Sequence, residues 1–324
     1  MSIVLPWATG FEAGSANVLS YPYGVTTSSP TPRTGSYCGH NYSITNCGVN
    51  LASAVSEVWF GGAFYIGLAN DRRPFRWFSS STEMGSVRKN SSTGKLEAYV
   101  GTSLVATSAS AFPDNSWGSI VVHLKIDDAT GVLQVYVDGN LWIDYSGDTK
   151  PGSATTINNI YYGYCSAVTS YFDDMWVATT NLGYDIRITG LIPTADGDVE
   201  EWDCSAGADM YAMVDEKPHD SDTTYLQSDT TGQKFLVGTE DFSTSTAVIV
   251  GVNVLLCAKA NSGLSGDGLR VLCKTAGSEY TGDDESITLT YTYYNKLWLL
   301  SPATSAPWTD AAIDALQVGA EDRS

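Results

Sequence analysis

Carboxylates two positions apart on an extended segment can act as acid and base across a glycosidic bond, a task that needs them about 5–10 Å apart. Asp196-Gly197-Asp198-Val199-Glu200 is the segment nearest to that pattern. It follows Pro193 and contains a glycine, so it reads as a solvated acidic linker rather than a catalytic strand. Asp127-Asp128, Asp173-Asp174 and Asp283-Asp284 offer oxygens to a hard cation such as Ca2+,. None has a recognisable calcium-loop spacing, and Asp127 reads as shaping its own turn through its side-chain oxygen. Zinc is not expected: Cys38, Cys47, Cys165, Cys204, Cys257 and Cys273 form no Cys-x-x-Cys, and only 3 histidines accompany them,. No glycine loop of the phosphate-cradling kind occurs, so no cofactor is expected.

Trp59, Trp77, Trp117, Trp142 and Tyr161-Tyr162 could supply a stacking platform for sugar rings, or fill a core,. Asp71-Arg72-Arg73-Pro74-Phe75-Arg76-Trp77 concentrates three arginines of the chain's 17 basic residues beside two aromatics. That composition suits a protein interface, so Arg72, Arg73, Arg76 and Trp77 are expected to meet another protein or another copy of the chain. The competing reading pairs these arginines with the chain's own carboxylates.

The elements that position these residues are strands. Ile120, Val122 and Leu124 alternate with His123 and Lys125, and Leu133, Val135 and Val137 with Gln134 and Tyr136. Period-2 alternation gives each strand one apolar face. Asp138-Gly139 predicts a type I′ hairpin, whose central residues need positive φ. Leu96, Ala98 and Val100 alternate with Glu97 and Tyr99 in the same way, and further strands are expected around Glu57–Tyr65 and Tyr171–Val177. Beyond the Leu191–Asp198 junction, a strand is expected over Val248–Leu255, another over Leu269–Lys274 and another over Ile287–Tyr293. Cys257 and Cys273 read as buried thiols. Thr309 can cap a short helix from Asp310 to about Leu316, with Gly319 stopping it. These signals divide the chain into domains 1–182 and 183–324, both all-β.

Composition narrows the function classes. Hydrophobic residues make up 43% of the 324, which is a globular composition,. The formal net charge of −19 repels phosphate backbones and anionic lipid, so neither nucleic acid nor membrane is an expected partner,. The segment Met1–Trp7 lacks a basic, then apolar, leader pattern, so synthesis and assembly in a cytoplasm are expected.

The Asp127–Trp142 hairpin series and the Tyr171-Phe172-Asp173-Asp174-Met175-Trp176-Val177 strand resemble the concanavalin A-like, laminin-G-like jelly roll over roughly the first 180 residues. Asp185-Ile186-Arg187-Ile188, Leu191–Gly197, Trp202, Val214-Asp215-Glu216 with Asp220, Asp222 and Tyr225, the 248–258 strand and Ala306-Pro307-Trp308-Thr309 resemble a domain of tailed-bacteriophage virion proteins. Ser301 departs from that pattern, which has an acidic residue before Pro302. The fold implied is a jelly-roll β-sandwich followed by a second β-sandwich domain with a short C-terminal helix. The function implied is a non-enzymatic structural protein on the exterior of a virion, as capsid decoration or tail accessory. Its partners would be major capsid or tail proteins and copies of itself. Two alternatives stand beside it: a tail module that binds cell-surface glycans, and a glycanase.

Overall fold

The structure, a computed structural model, describes residues 2–20, 24–26, 31–41, 47–67, 72–165, 170–242, 248–261 and 267–323. It divides into two compact units, Met1–Thr189 and Gly190–Ser324.

The long strands of the first unit are, in chain order, β1 (Gly48–Val55), β2 (Glu57–Tyr65), β3 (Arg72–Ser79), β4 (Thr82–Lys89), β5 (Lys95–Val100), β6 (Ser103–Ala111), β7 (Trp117–Lys125), β8 (Gly131–Val137), β9 (Asn140–Gly147), β10 (Ile157–Cys165) and β11 (Ser170–Ala178). A seven-stranded sheet runs Ser2–Ile3, β1, β10, β3, β4, β5, β6. An eight-stranded sheet includes β9, β8, β7, β2, β11 and Cys38–Asn41 in that order. The two sheets form the expected jelly-roll sandwich. Ile120, Val122, Leu124, Leu133, Val135 and Val137 are all buried, as their alternation predicts. Phe75 of the seven-stranded sheet meets Phe60 and Phe64 of the other edge-on, at 5.0 and 4.9 Å between centroids. The β8–β9 turn has φ of 45° at Asp138 and 81° at Gly139, the backbone a type I′ hairpin demands,.

The first unit extends past residue 182, where the sequence places the boundary. Leu182, Tyr184 and Ile186 cover Val121, Trp176 and Ala178 on the outer side of the eight-stranded sheet. The Ser119 hydroxyl donates to the Tyr184 carbonyl at 2.6 Å, and the Ile188 N–H to Asp174 at 2.8 Å. Asp185–Ile188, grouped with the second domain by resemblance, therefore belongs to the first.

The second unit contains β12 (Pro193–Glu200), β13 (Lys234–Thr239), β14 (Val252–Ala258), β15 (Gly268–Thr275), β16 (Ser278–Ser286), β17 (Thr292–Trp298), α1 (Asp310–Asp314) and β18 (Gln317–Asp322). Its five-stranded sheet runs β12, β13, β18, β15, β16, and β14 pairs with β17 as a ribbon. Val254, Leu269, Val271, Cys273, Tyr294, Trp308, Ile313 and Leu316 form a buried core between them.

Four local expectations are corrected here. The 193–200 segment is an edge strand rather than a linker, and Pro193 is tolerated as its first residue,. The 248–255 strand starts later, at Val252, where pairing with Trp298 begins; Val248 is 85% exposed. Residues 287–291 link two strands instead of forming one. There the Thr288 hydroxyl donates to the Thr290 carbonyl, a local bond that competes with a ladder,. The helix is capped by Thr309 as expected but ends at Asp314, and Gly319 lies inside β18 rather than stopping the helix.

Candidate functional site

The outer face of the seven-stranded sheet carries a ledge of arginines and aromatics. On β3, Phe75 and Trp77 point into the core, so Arg76 points outward,; Phe78, past a second register shift, lies under Arg76 and is itself buried. A register shift between Arg72 and Phe75 reverses the alternation,. Arg72 therefore turns inward, 4% exposed, and donates to the Ser170 hydroxyl at 3.2 Å. Arg73 turns outward beside Arg76. On the neighbouring strand β10, Gly163 adopts φ of 61°, a left-handed conformation suited to glycine, and Tyr164 comes to lie opposite Arg73,.

The result is a packed array. The Arg73 and Arg76 guanidiniums lie 4.9 and 4.6 Å from the centre of the Tyr164 ring, and Arg76 also lies 4.8 Å from that of Phe78. Phe78 meets Tyr161 edge-on at 5.0 Å. On β4 and β5, Arg88 lies 3.9 Å from the centre of the Tyr99 ring and donates to Ser86 at 3.0 Å. Glu83 accepts from Arg76 at 2.7 Å and from Arg73 at 3.3 Å, with Arg88 3.8 Å away. Glu97 accepts from the Tyr99 hydroxyl at 2.8 Å and from Asn90 at 2.7 Å. Among the described residues, three guanidiniums thus share this face with two carboxylates, in a chain of net charge −19. Flat aromatic faces beside fixed cations can stack a sugar ring and grip an acidic substituent at once.

The sequence-predicted interface set is divided by this geometry. Arg72 and Trp77 are buried and present no surface to a partner. Arg73 and Arg76 are outside, and both pair with Glu83 of the same chain, which is the competing reading. Asp71 lies outside the described residues. Of the aromatic platform, Trp77, Tyr161 and Tyr162 are buried, and Trp59 stacks on His123 at 4.1 Å. Glu83, Arg88, Glu97, Tyr99 and Tyr164 were not singled out as site residues. Glu97 and Tyr99 stand out only as the polar half of an alternating strand; Glu83 and Arg88 come beside Arg73 and Arg76 through sheet pairing.

The other acidic candidates are already engaged. Asp196 accepts from the Tyr211 N–H at 2.8 Å, while Asp198 pairs with Lys274 at 2.6 Å, which holds its carboxyl below the usual range. Asp127 accepts from the N–H groups of Ala129 and Thr130 and is likewise held low. Asp128 pairs with Lys150, Asp283 with Lys296, and Asp284 with Arg270 and Arg323. Asp173 and Asp174 are fully buried. Asp173 accepts from the N–H groups of Arg33, Thr34 and Asp174, and Asp174 accepts from the Arg33 guanidinium, the Thr34 hydroxyl and Ile188. Together they clasp two chain segments against β11. Among the described residues, no group of three or more His, Cys, Asp or Glu is arranged to hold a metal ion. Cys38 and Cys47 are buried and not joined in a disulfide, and burial aided by Asp173 and Glu12 pushes Cys38 up to about 12.

No family model matches the sequence, and no curated protein does. Among solved structures, the chain is similar to the endo-beta-1,4-glucuronan lyase of the fungus Trichoderma reesei: 13% identity, TM-score 0.43, covering 55% of this chain and 97% of that one. It is also similar to alginate lyase Aly36B, at 12% identity and TM-score 0.35, over 44% and 80% of the two chains. A Bacillus subtilis protein of unknown function with a galectin-like fold matches at 11% identity and TM-score 0.31, over 39% and 73%. The expectation of a non-enzymatic protein is corrected by these neighbours, two of which are named as glycan lyases. At such identities the likeness is one of fold, so the chemistry rests on the residues themselves.

Proposed function

We propose that the first unit recognises an acidic polysaccharide on the outer face of its seven-stranded sheet. The observation that carries this reading is the Arg73–Arg76–Arg88 set, each guanidinium seated on an aromatic ring. Rings of Tyr164, Phe78 and Tyr99 fix the arginine planes, so little side-chain freedom remains to be lost on binding. A uronate offers a sugar face to the aromatics and a carboxylate to the guanidiniums. The setting we propose, the exterior of a tailed-phage particle meeting a cell-surface glycan, rests on the sequence resemblance of the second unit. The test is a panel of matched acidic and neutral polysaccharides presented to the full chain. Retention of polyuronates and passage of neutral glucans is the expected result; equal treatment of both would refute acid recognition.

A second reading, eliminative cleavage of the bound chain, is favoured by the Tyr99 hydroxyl donating to Glu97 beneath Arg88. In that reaction a base removes the proton beside the uronate carboxylate, the glycosidic C–O bond breaks, and the leaving oxygen is protonated. Arg88 would hold the carboxylate, with Tyr99 and Glu97 handling the proton. Tyr99→Phe is then expected to abolish formation of unsaturated ends while polyuronate is still bound. Unchanged product formation by this variant would remove Tyr99 from the chemistry.

A further inference from the structure

Glu83 lies at the centre of the arginine set. One of its oxygens accepts from Arg76 twice, from Nε at 3.2 Å and Nη2 at 2.7 Å. The other accepts from Arg73 at 3.3 Å and faces Arg88 at 3.8 Å. Its side chain is 22% exposed, so this is a half-sheltered carboxylate rather than a solvated rim charge. The cluster therefore already contains an acid group seated as a ligand carboxylate would be, with the Arg76 fork facing it.

We propose that Glu83 is a resident competitor for the anion seat, and that its withdrawal from Arg76 is part of acidic-glycan binding. This inference rests on the reading of the ledge as an acidic-glycan site. In the unbound chain Glu83 keeps three mutually repelling guanidiniums together, each over an aromatic ring. When a uronate arrives, two carboxylates compete for one fork and repel each other at short range. The glycan prevails by adding what Glu83 lacks: ring faces against Tyr164 and Tyr99, and several acid groups along one chain. A single free carboxylate has neither, so the device discriminates polymeric uronates from small organic acids.

The test uses polyglucuronate as probe and the full chain, wild type and Glu83→Gln. Removing the competing charge is expected to tighten binding about tenfold, equivalent to roughly 1.4 kcal/mol, and to let small ringless carboxylates such as acetate compete where they do not in the wild type. Glu83→Ala is expected to shift binding in the same direction and covers a misfolded Gln variant. If wild type binds polyglucuronate while either folded variant binds equally or more weakly, Glu83 is a positioning residue and the inference is overturned. If both variants fail to fold, Glu83 is a structural counter-ion and the inference is likewise overturned. If wild type and variants alike ignore polyglucuronate, the acidic-glycan reading itself falls.

Discussion

The buried Asp173–Asp174 pair shows how one residue's environment decides its charge. Burial and the neighbouring Asp174 carboxylate push Asp173 up to about 8 from the ordinary 3.8, against the pull of three N–H donors. In the unfolded chain the proton leaves near 3.8; in the folded chain it stays until about 8. The folded state therefore binds more protons across that window, and stability falls as pH rises through it. The expected outcome is a melting temperature of the first unit that declines from about pH 5 to about pH 9. A temperature that stays level over that range and falls only as pH drops below about 4 would show that the N–H donors and Arg33 prevail and the pair is fully ionised. The pair was legible in the sequence as a cluster of oxygens, but its role was not. Only the fold reveals that Arg33, Thr34 and Ile188, far apart in sequence, close over it.

Strands with strict alternation were legible, because each shows its buried face as a period of two. The series from Ile120 to Val137 and the Asp138-Gly139 hairpin are of that kind. Where alternation is broken, the sequence misleads. The bulge at Arg72–Phe75 exchanges which arginine faces the core, so adjacent arginines look equivalent in sequence and are opposite in space. Strand β18 was missed for a similar reason: Gln317-Val318-Gly319-Ala320-Glu321-Asp322 shows little apolar patterning, yet it lies between β13 and β15. Gly319 is needed there, since a Cβ at that position would lie 1.9 Å from the Phe235 carbonyl oxygen. Gly319→Ala is expected to destabilise the second unit by about 1–3 kcal/mol, the usual range for overpacking. Denaturant unfolding should show a lowered transition for that unit with the first unit's unchanged; an unmoved midpoint would mean that the sheet opens freely at this point.

At the scale of the whole chain, charge is unevenly shared. Residues 190–324 hold 22 of the 36 acidic residues and 7 of the 17 basic ones, against 14 and 10 in residues 1–189. The polyanion binding proposed for the first unit therefore falls on the less acidic part of the chain,. The charge total, which suggests a protein indifferent to anions, hides a local array assembled from β3, β4, β5 and β10. Composition averages over what sheet pairing concentrates.

The most direct test of that array is the dissociation constant of polyglucuronate for the full chain, wild type against Arg76→Ala. Charge-assisted contacts of this kind contribute roughly 1.5–3 kcal/mol, so the variant is expected to bind about ten- to a hundredfold more weakly at moderate salt. Wild-type binding should itself weaken as salt rises, since the arginines are partly exposed,. Equal affinity of the two proteins, with the variant folded, would contradict the assignment of the arginine ledge as an acidic-glycan site.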